Sequence, residues 1–190
     1  MKLHDGISGR LREFVEAQPM FFVATAPSGD AGHVNLSPKG MGGTFVVIGE
    51  HRVAYLDFHG SGAETIAHLA ENARITIMFC AFQGAPNIVR FHGRGRAVPV
   101  TDPEFAELIK LFPEAPDHHG ARSIIDVDVR RVSDSCGYSV PLMAYEGDRD
   151  LLIRSHERRS DEELADYRLR KNGYSIDGRP IFAGPDRVDR

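Results

Sequence analysis

The sequence predicts a mainly β protein, with a small closed antiparallel barrel and peripheral helices as the simplest architecture. About seven segments are rich in β-branched and aromatic residues, and short turns connect most of them. Only a few segments show helical spacing. Short connections favour antiparallel pairing, because a parallel pair needs a long crossover. A chain of 190 residues is long enough for one domain with its own core.

The first half of the chain opens with a predicted helix over residues 8–17. Leu11, Phe14 and Val15 recur at helical spacing, Ser8 is a candidate cap, and Pro19 ends the pattern. A Pro-Ser-Gly-Asp turn at residues 27–30 and a flexible Gly-rich loop at residues 38–43 flank the second strand. The predicted strands are residues 20–26, 33–37, 44–48 and 52–58.

The second half predicts a helix at residues 63–70, three strands and a further helix at residues 102–112 that opens Thr-Asp-Pro-Glu. Gly93 and Gly95 lie inside the longest strand and are expected at a β-bulge. Residues 113–120 are expected to form a loop. The predicted strands are residues 74–81, 87–100 and 123–132.

Residues 136–190 differ in pattern from residues 1–135, so we expect a barrel domain followed by a C-terminal loop, charged helix and tail that pack on the barrel or on a dimer partner. The helix is predicted at residues 155–171 and is mostly charged. Ser160 with Glu163 three residues later is a capping-box pattern. The tail from residue 172 is expected to be irregular.

Composition limits the function classes. A net charge of −4 argues against a general nucleic-acid binder, and no apolar run approaches the length of a membrane span. The N-terminus lacks the apolar segment of a signal peptide, so we expect a cytoplasmic protein with reduced Cys80 and Cys136. No His or Cys spacing is typical of a metal site, and none is expected.

Two stretches contain residues suited to binding chemistry. Residues 59–65 (His-Gly-Ser-Gly-Ala-Glu-Thr) join a strand to a helix, where glycines and free N–H groups suit a phosphate. Residues 35–40 (Asn-Leu-Ser-Pro-Lys-Gly) place a cation and hydroxyls at a strand end. Each stretch alone is equally consistent with an ordinary helix cap or a surface hairpin.

Together, in this order, the two stretches resemble the pyridoxamine 5′-phosphate oxidase-like family of FMN-binding split barrels. The resemblance lies in HVNLSPKG at residues 33–40 and in GSGAETIAHLAENARITIMFCAF at residues 60–82. It extends over roughly residues 14–132. It implies an antiparallel split barrel that works as a homodimer, with FMN in grooves at the subunit interface. The expected cofactor-binding residues are Asn35, Leu36, Ser37, Lys39, Leu56, Asp57, Ser61, Gly62, Thr65 and Asn87, the last reaching the ring from the other subunit.

The chain departs from the family pattern at the phosphate turn. Where the true vitamin B6 oxidases have Arg-Lys after the serine, this sequence has Gly62 and Ala63. The resemblance therefore implies an uncharacterised branch in which backbone N–H groups, Ser61, Thr65 and Lys39 hold the phosphate.

The expected function is an FMN-dependent oxidoreductase that passes hydride to or from a small substrate or NAD(P)H, with no catalytic residue assigned. A deazaflavin or heme in the same barrel, a non-catalytic flavin carrier and a barrel that binds nothing are alternatives. An axial heme ligand would come from His33, His59 or His92. The loop containing Cys136, Tyr138 and Ser139 either covers the ring or is a simple turn.

Overall fold

A computed structural model of the chain describes residues 1–182. It has eight strands and five α-helices, with a single 3₁₀ turn at Ile109–Leu111. The strands are β1 (Lys2–His4), β2 (Met20–Thr25), β3 (Asn35–Gly40), β4 (Phe45–Gly49), β5 (Arg52–Phe58), β6 (Arg74–Cys80), β7 (Ile88–Pro99) and β8 (Ala121–Ser135). The helices are α1 (Gly9–Glu16), α2 (Glu64–Asn72), α3 (Phe105–Leu108), α4 (Leu151–Glu157) and α5 (Asp161–Asn172).

All strand pairs are antiparallel, and the sheet runs in the order β3-β2-β6-β7-β8-β5-β4, with β1 added to β8. The mainly β, antiparallel split-barrel class is therefore confirmed. The expectation of a closed barrel is wrong, because β3 and β4 are not paired within residues 1–182. The sheet instead curls into an open half-barrel, with β3 and β4 at its two ends.

Alternation along β5 and β8 builds two apolar clusters on opposite faces of the sheet. Val53 and Tyr55 face the barrel interior with Phe21, Phe79 and Phe91. Leu56 lies in the second cluster, under α3. The interior aromatic rings pack closely, with Phe21 and Phe45 centroids 5.1 Å apart. Apolar side chains therefore cover both faces of β5, and this packing fixes the position of the strand.

The β-bulge expected in the strand that contains Gly93 and Gly95 is confirmed at Gly93 of β7. The pairing of β7 with β8 shifts between His92 and Gly93. A Cβ atom on Gly93 would lie 2.2 Å from the carbonyl oxygen of Asp128, so only glycine fits against the neighbouring strand. Gly95 is also close-packed, with Leu69 side-chain carbons 3.2 Å from where its Cβ would be.

Two segments predicted as loop or helix differ in the structure. The loop expected from residue 38 is strand as far as Gly40, because β3 lies at the sheet edge and an edge strand tolerates Pro38, which has no N–H. The helix expected from residue 102 begins only at Phe105, because Asp102 makes a turn: its carbonyl accepts from Phe105 and its carboxylate from the Glu104 N–H.

The terminal segments also differ from expectation. The short strand β1 was not predicted, since three residues carry too little pattern. The single helix expected at residues 155–171 is two helices, because Ser160 starts α5 with the predicted capping box. Ser8 occupies the N-cap of α1, but its side chain makes no capping bond.

Candidate functional site

A pocket of about 830 Å³ opens between β3, the end of β5 and the start of α2. Its size lies within the range of about 300–1,000 Å³ that is usual for cofactor and ligand sites. Residues 145–152, which precede and begin α4, form its outer wall. The pocket therefore lies beside edge strand β3, at the C-terminal end of β5.

Three charged side chains form the floor of this pocket. Asp57 continues the inward row of β5 after Tyr55 and is 1% exposed. Its Oδ1 accepts from Lys39 Nζ at 2.9 Å, and its Oδ2 accepts from Arg122 Nε at 2.7 Å. Two cations against one carboxylate leave the floor with a net positive charge, which favours an anionic ligand group.

The ionisation of Asp57 depends on these partners. Burial by itself raises the pKa of a carboxyl group. The nearby charges of Arg122 and Lys39 and their hydrogen bonds outweigh that effect, so the pKa of Asp57 lies well below its ordinary value. The carboxylate is therefore charged at neutral pH and fixes both cations in place.

The turn of residues 59–63, here called the glycine loop, forms one end of the pocket. Arg122 Nη2 donates to the carbonyl oxygen of Gly62 at 2.6 Å. Helix α2 begins directly after the loop, and its N-cap residue Ala63 makes no side-chain capping bond. Within residues 1–182, no acceptor is found for the N–H groups of Gly60 and Ser61. Free N–H groups at a helix start suit an oxyanion.

Arg122 has one further nitrogen to offer. Its side chain is 2% exposed, lines the pocket, and carries a buried Nη1 with no hydrogen-bond partner in residues 1–182. An unpaired buried donor on a guanidinium is costly unless something accepts from it. Arg122 thus lines the pocket, contacts the glycine loop through Nη2, and keeps a buried donor that no group in residues 1–182 accepts from.

Polar side chains join β3 to α2 along the side of the pocket. Asn35 Nδ2 lies 3.1 Å from both Thr25 Oγ1 and Thr65 Oγ1, and Ser37 Oγ donates to Asn35 Oδ1 at 2.8 Å. Both amide protons of Asn35 are engaged by protein groups. Asn35 therefore fixes the wall of the pocket, while Ser37 still has oxygen lone pairs that can accept a hydrogen bond.

The C-terminal helices pack behind the glycine loop. His156 on α4 is 2% exposed, and its Nδ1 lies 2.6 Å from Asp117 Oδ2. Its Nε2 lies 3.1 Å from the carbonyl oxygen of His59. Asn172, at the end of α5, donates through Nδ2 to the carbonyl oxygen of Gly60 at 2.9 Å. Neither side chain lines the pocket.

Both ring nitrogens of His59 are also engaged. Nδ1 lies 2.8 Å from the carbonyl oxygen of Gly120 and must donate to it, so Nε2 of the neutral ring accepts from Arg168 Nη1 at 3.0 Å. Burial, together with the charges of Arg168 and Arg122, lowers the pKa of His59 to about 4. His59 is therefore neutral at physiological pH.

Comparison with known proteins settles the family. The model of the pyridoxamine 5′-phosphate oxidase family matches residues 7–136. The chain belongs to that family. The Aspergillus flavus pyridoxamine 5′-phosphate oxidase family protein ustO is 37% identical over 191 residues, covering 93% of this chain and 76% of the relative.

Solved structures of the family type share the fold at low sequence identity. HupZ of Group A Streptococcus superposes with a TM-score of 0.53 at 17% identity, covering 73% of this chain and 99% of that chain. A Lactobacillus delbrueckii protein named for pyridoxamine 5′-phosphate oxidase gives a TM-score of 0.53 at 12% identity, covering 70% and 99%. These likenesses support the split-barrel fold alone.

Most of the residues expected from the family resemblance lie together at the pocket. The eight that line it are Asn35, Ser37, Lys39, Leu56, Asp57, Ser61, Gly62 and Thr65. Leu36 does not line it, because alternation along β3 turns its side chain outward, where it is 65% exposed. Asn87 does not line it either and lies beside Gly137. The cofactor roles of all ten stay predictions.

Sequence reasoning missed Arg122 as a site residue. The available signal was a cation just before the apolar Ile124–Ile125 pair of a predicted strand. Arg122 fits the departure noted at the phosphate turn of the family, where Gly62 and Ala63 replace two cations. A guanidinium from β8 now lies against that turn.

Other expectations can be placed in the structure. Tyr138 lies in a turn, is 83% exposed and does not line the pocket. Cys80 is buried and Cys136 is exposed, and both are free. Within residues 1–182 no cluster of three or more His, Cys, Asp or Glu side chains is placed to hold a metal. No helix in that part of the chain has the length and apolar character needed to cross a membrane.

Proposed function

We propose that this protein binds FMN in the pocket between β3, β5 and the glycine loop and acts as an FMN-dependent oxidoreductase. The observation that carries the proposal is that two sets of donors lack acceptors within residues 1–182: the N–H groups of the glycine loop and Nη1 of buried Arg122. Both are donors, Arg122 is in contact with the glycine loop through Nη2, and a phosphate ester supplies several acceptors at once. Membership of the family favours a flavin as its carrier.

The residues present fit the phosphate end of the cofactor. Ser61 and the N–H groups of Gly60 and Ser61 would hold the phosphate oxygens, with Arg122 supplying charge. Arg122 compensates for the two family cations that Gly62 and Ala63 replace. Activity as a true vitamin B6 oxidase is not part of the proposal, since that phosphate turn differs.

The remaining pocket residues suit the ribityl chain and ring. Ser37 offers acceptor lone pairs on β3, and Lys39 is the more exposed of the two cations of the floor, at 23% against 2% for Arg122. Flavin, when bound, supplies reversible hydride chemistry. In this chain Lys39 would favour the reduced, more anionic cofactor by its charge, while Asp57 holds the ammonium group in place. The substrate is a small molecule or NAD(P)H.

A homodimer is part of this proposal. Edge strand β3 with the residue before it, and the segment of residues 136–150, carry large apolar side chains that face solvent: Val34 at 74%, Leu36 at 65%, Leu142 at 79% and Met143 at 53% exposure. Such side chains are typical of a surface that a partner covers. A second copy on β3 would cover Leu36, and Asn87 of that copy would reach the cofactor, as the family resemblance implies.

The pocket disfavours the heme alternative. His59 is the one histidine among the residues that line it, and both of its ring nitrogens already have hydrogen-bond partners. His33 and His92 do not line the pocket. An axial ligand would therefore require His59 to give up Arg168 or Gly120. A deazaflavin is the alternative cofactor whose chemistry is most similar to that of FMN. The visible absorption spectrum distinguishes the two.

Titration of the purified protein with FMN, followed by quenching of flavin fluorescence, tests the proposal. We expect saturable binding, and Lys39→Met should weaken it by about tenfold, because a charge-assisted contact contributes about 1.5–3 kcal/mol. Lys110→Met is the matched control, since Lys110 pairs with Glu107 outside the pocket and should leave affinity unchanged. Absence of saturable binding would overturn the proposal.

A further inference from the structure

The glycine loop is held from behind by side chains of the C-terminal helices. His59 and Gly60 both turn their carbonyl oxygens away from solvent, toward His156 Nε2 at 3.1 Å and Asn172 Nδ2 at 2.9 Å. His156 is 2% exposed and Asn172 is fully buried. Because a carbonyl oxygen can only accept, each contact requires the helix side chain to donate.

These two hydrogen bonds determine the direction of the N–H groups of the glycine loop. In a trans peptide the C=O and the following N–H point in opposite directions, and residues 1–182 contain no cis peptide. His156 and Asn172 lie outside the pocket lining, whereas Gly60 and Ser61 lie on it. With the two carbonyls directed toward the helices, the N–H groups of Gly60 and Ser61 are directed toward the pocket.

The helices are themselves anchored to the barrel. His156 Nδ1 lies 2.6 Å from Asp117 Oδ2, and Asp117 Oδ1 accepts from the N–H of Gly120 at 2.7 Å. A Cβ atom on Gly120 would lie 1.8 Å from His156 Nδ1, so this glycine makes room for the imidazole. The position of α4 relative to the loop is therefore fixed on both sides of the ring.

We propose that His156 and Asn172 are positioning residues for phosphate recognition. By holding the carbonyls of His59 and Gly60, they orient the N–H groups of Gly60 and Ser61 as a preformed oxyanion site, and so make the pocket select a phosphorylated flavin over its dephosphorylated form. This inference rests on the proposed function. In this proposal the C-terminal helices orient the groups that bind the phosphate, although His156 and Asn172 do not contact the cofactor themselves.

Comparison of FMN with riboflavin separates this role from general stability, because the two ligands share everything except the phosphate. We expect His156→Asn to raise the FMN dissociation constant by about fivefold or more, with little change for riboflavin. In His156→Gln the amide nitrogen reaches the Nε2 position and should retain most of the FMN preference. The two variants are a matched pair of buried amides.

Asn172→Leu is the second variant, because leucine keeps a similar volume and removes the donor to Gly60. It should lower the FMN-to-riboflavin affinity ratio in the same way. Leu169→Ala on the exposed face of α5 is the control and should leave the ratio unchanged. Thermal unfolding without ligand confirms that each variant is folded.

A measurement on the unmodified protein covers the case in which a variant fails to fold. The amide protons of Gly60 and Ser61, followed by NMR, should shift strongly with FMN and much less with riboflavin. Equal shifts with both ligands, or equal loss of both affinities in His156→Asn, Asn172→Leu and His156→Gln, would overturn the inference. Failure of the wild type to bind either flavin would instead overturn the proposed function.

Discussion

Arg122 Nη2 donates to the carbonyl oxygen of Gly62 at 2.6 Å, which connects the charged floor of the pocket to the glycine loop. The same guanidinium holds Asp57 through Nε at 2.7 Å. One buried side chain from β8 therefore fixes two separate parts of the site, the end of β5 and the start of α2. The site is consequently sensitive to this residue both in folding and in binding.

Arg122→Ala should destabilise the protein by about 3–5 kcal/mol, because it leaves buried Asp57 with Lys39 as its one cation. Urea unfolding of the ligand-free protein measures this. Asp57→Asn in the Arg122→Ala background should restore part of the loss, since the uncompensated charge is then gone. A loss below about 1 kcal/mol for Arg122→Ala would contradict the ion-pair assignment.

His59 should make stability depend on pH between about 6.5 and 4. Its pKa is lowered from 6.5 to about 4 in the folded chain, so in that window the unfolded chain binds a proton that the folded chain does not. Stability therefore falls as the pH falls through this range. Between about pH 7 and about pH 5, the His59 titration lowers the free energy of unfolding by up to about 2 kcal/mol.

Urea unfolding of wild type and His59→Asn at the two pH values tests this. The asparagine amide keeps a donor for Gly120 and does not titrate, so the variant should lose less stability on acidification. Equal losses in the two proteins would show that His59 titrates normally in the folded state.

Gly93→Ala should destabilise the protein by about 1–3 kcal/mol or more, because the added methyl group would meet the Asp128 carbonyl at 2.2 Å. Gly49→Ala is the matched strand control, since no atom lies within 4 Å of its added methyl group. The shift in thermal unfolding measures both. Similar midpoints for the two variants would argue against close contact at the bulge.

Ser160→Ala should weaken the start of α5. Ser160 Oγ accepts from the Glu163 N–H at 3.3 Å, and Glu163 Oε2 accepts from the Ser160 N–H at 2.9 Å. Loss of such a cap costs about 0.5–2 kcal/mol. Faster amide exchange in the first turn of α5 is the expected readout, with Ser160→Asp restoring protection. Unchanged exchange in Ser160→Ala would contradict a working capping box.

Local pattern was sufficient to predict much of this fold. Apolar alternation located β2, β5, β6 and β7, and the Ser160–Glu163 pair located the start of α5. These signals lie within a few residues of the element they predict. The prediction of a closed barrel was wrong. Closure requires β3 to pair with β4, and a local sequence pattern does not predict whether two distant strands pair.

The candidate site was predictable only in part for the same reason. Lys39, Asp57 and Ser61 lie in stretches whose family resemblance is visible in the sequence. Arg122 reaches them through the register that pairs Asp57 with Ser123 across β5 and β8. His156 and Asn172 reach the glycine loop through packing of α4 and α5. Such contacts between distant segments carry no mark in the sequence near either partner.

The presence of FMN in the pocket can be measured directly. The measurement is the visible absorption spectrum of the freshly purified protein. Any chromophore is then released by heating and its mass is determined. Flavin absorption near ~450 nm with FMN as the released compound is the predicted result. A heme Soret band, a deazaflavin maximum near ~420 nm, or a colourless protein that takes up no added FMN would contradict it.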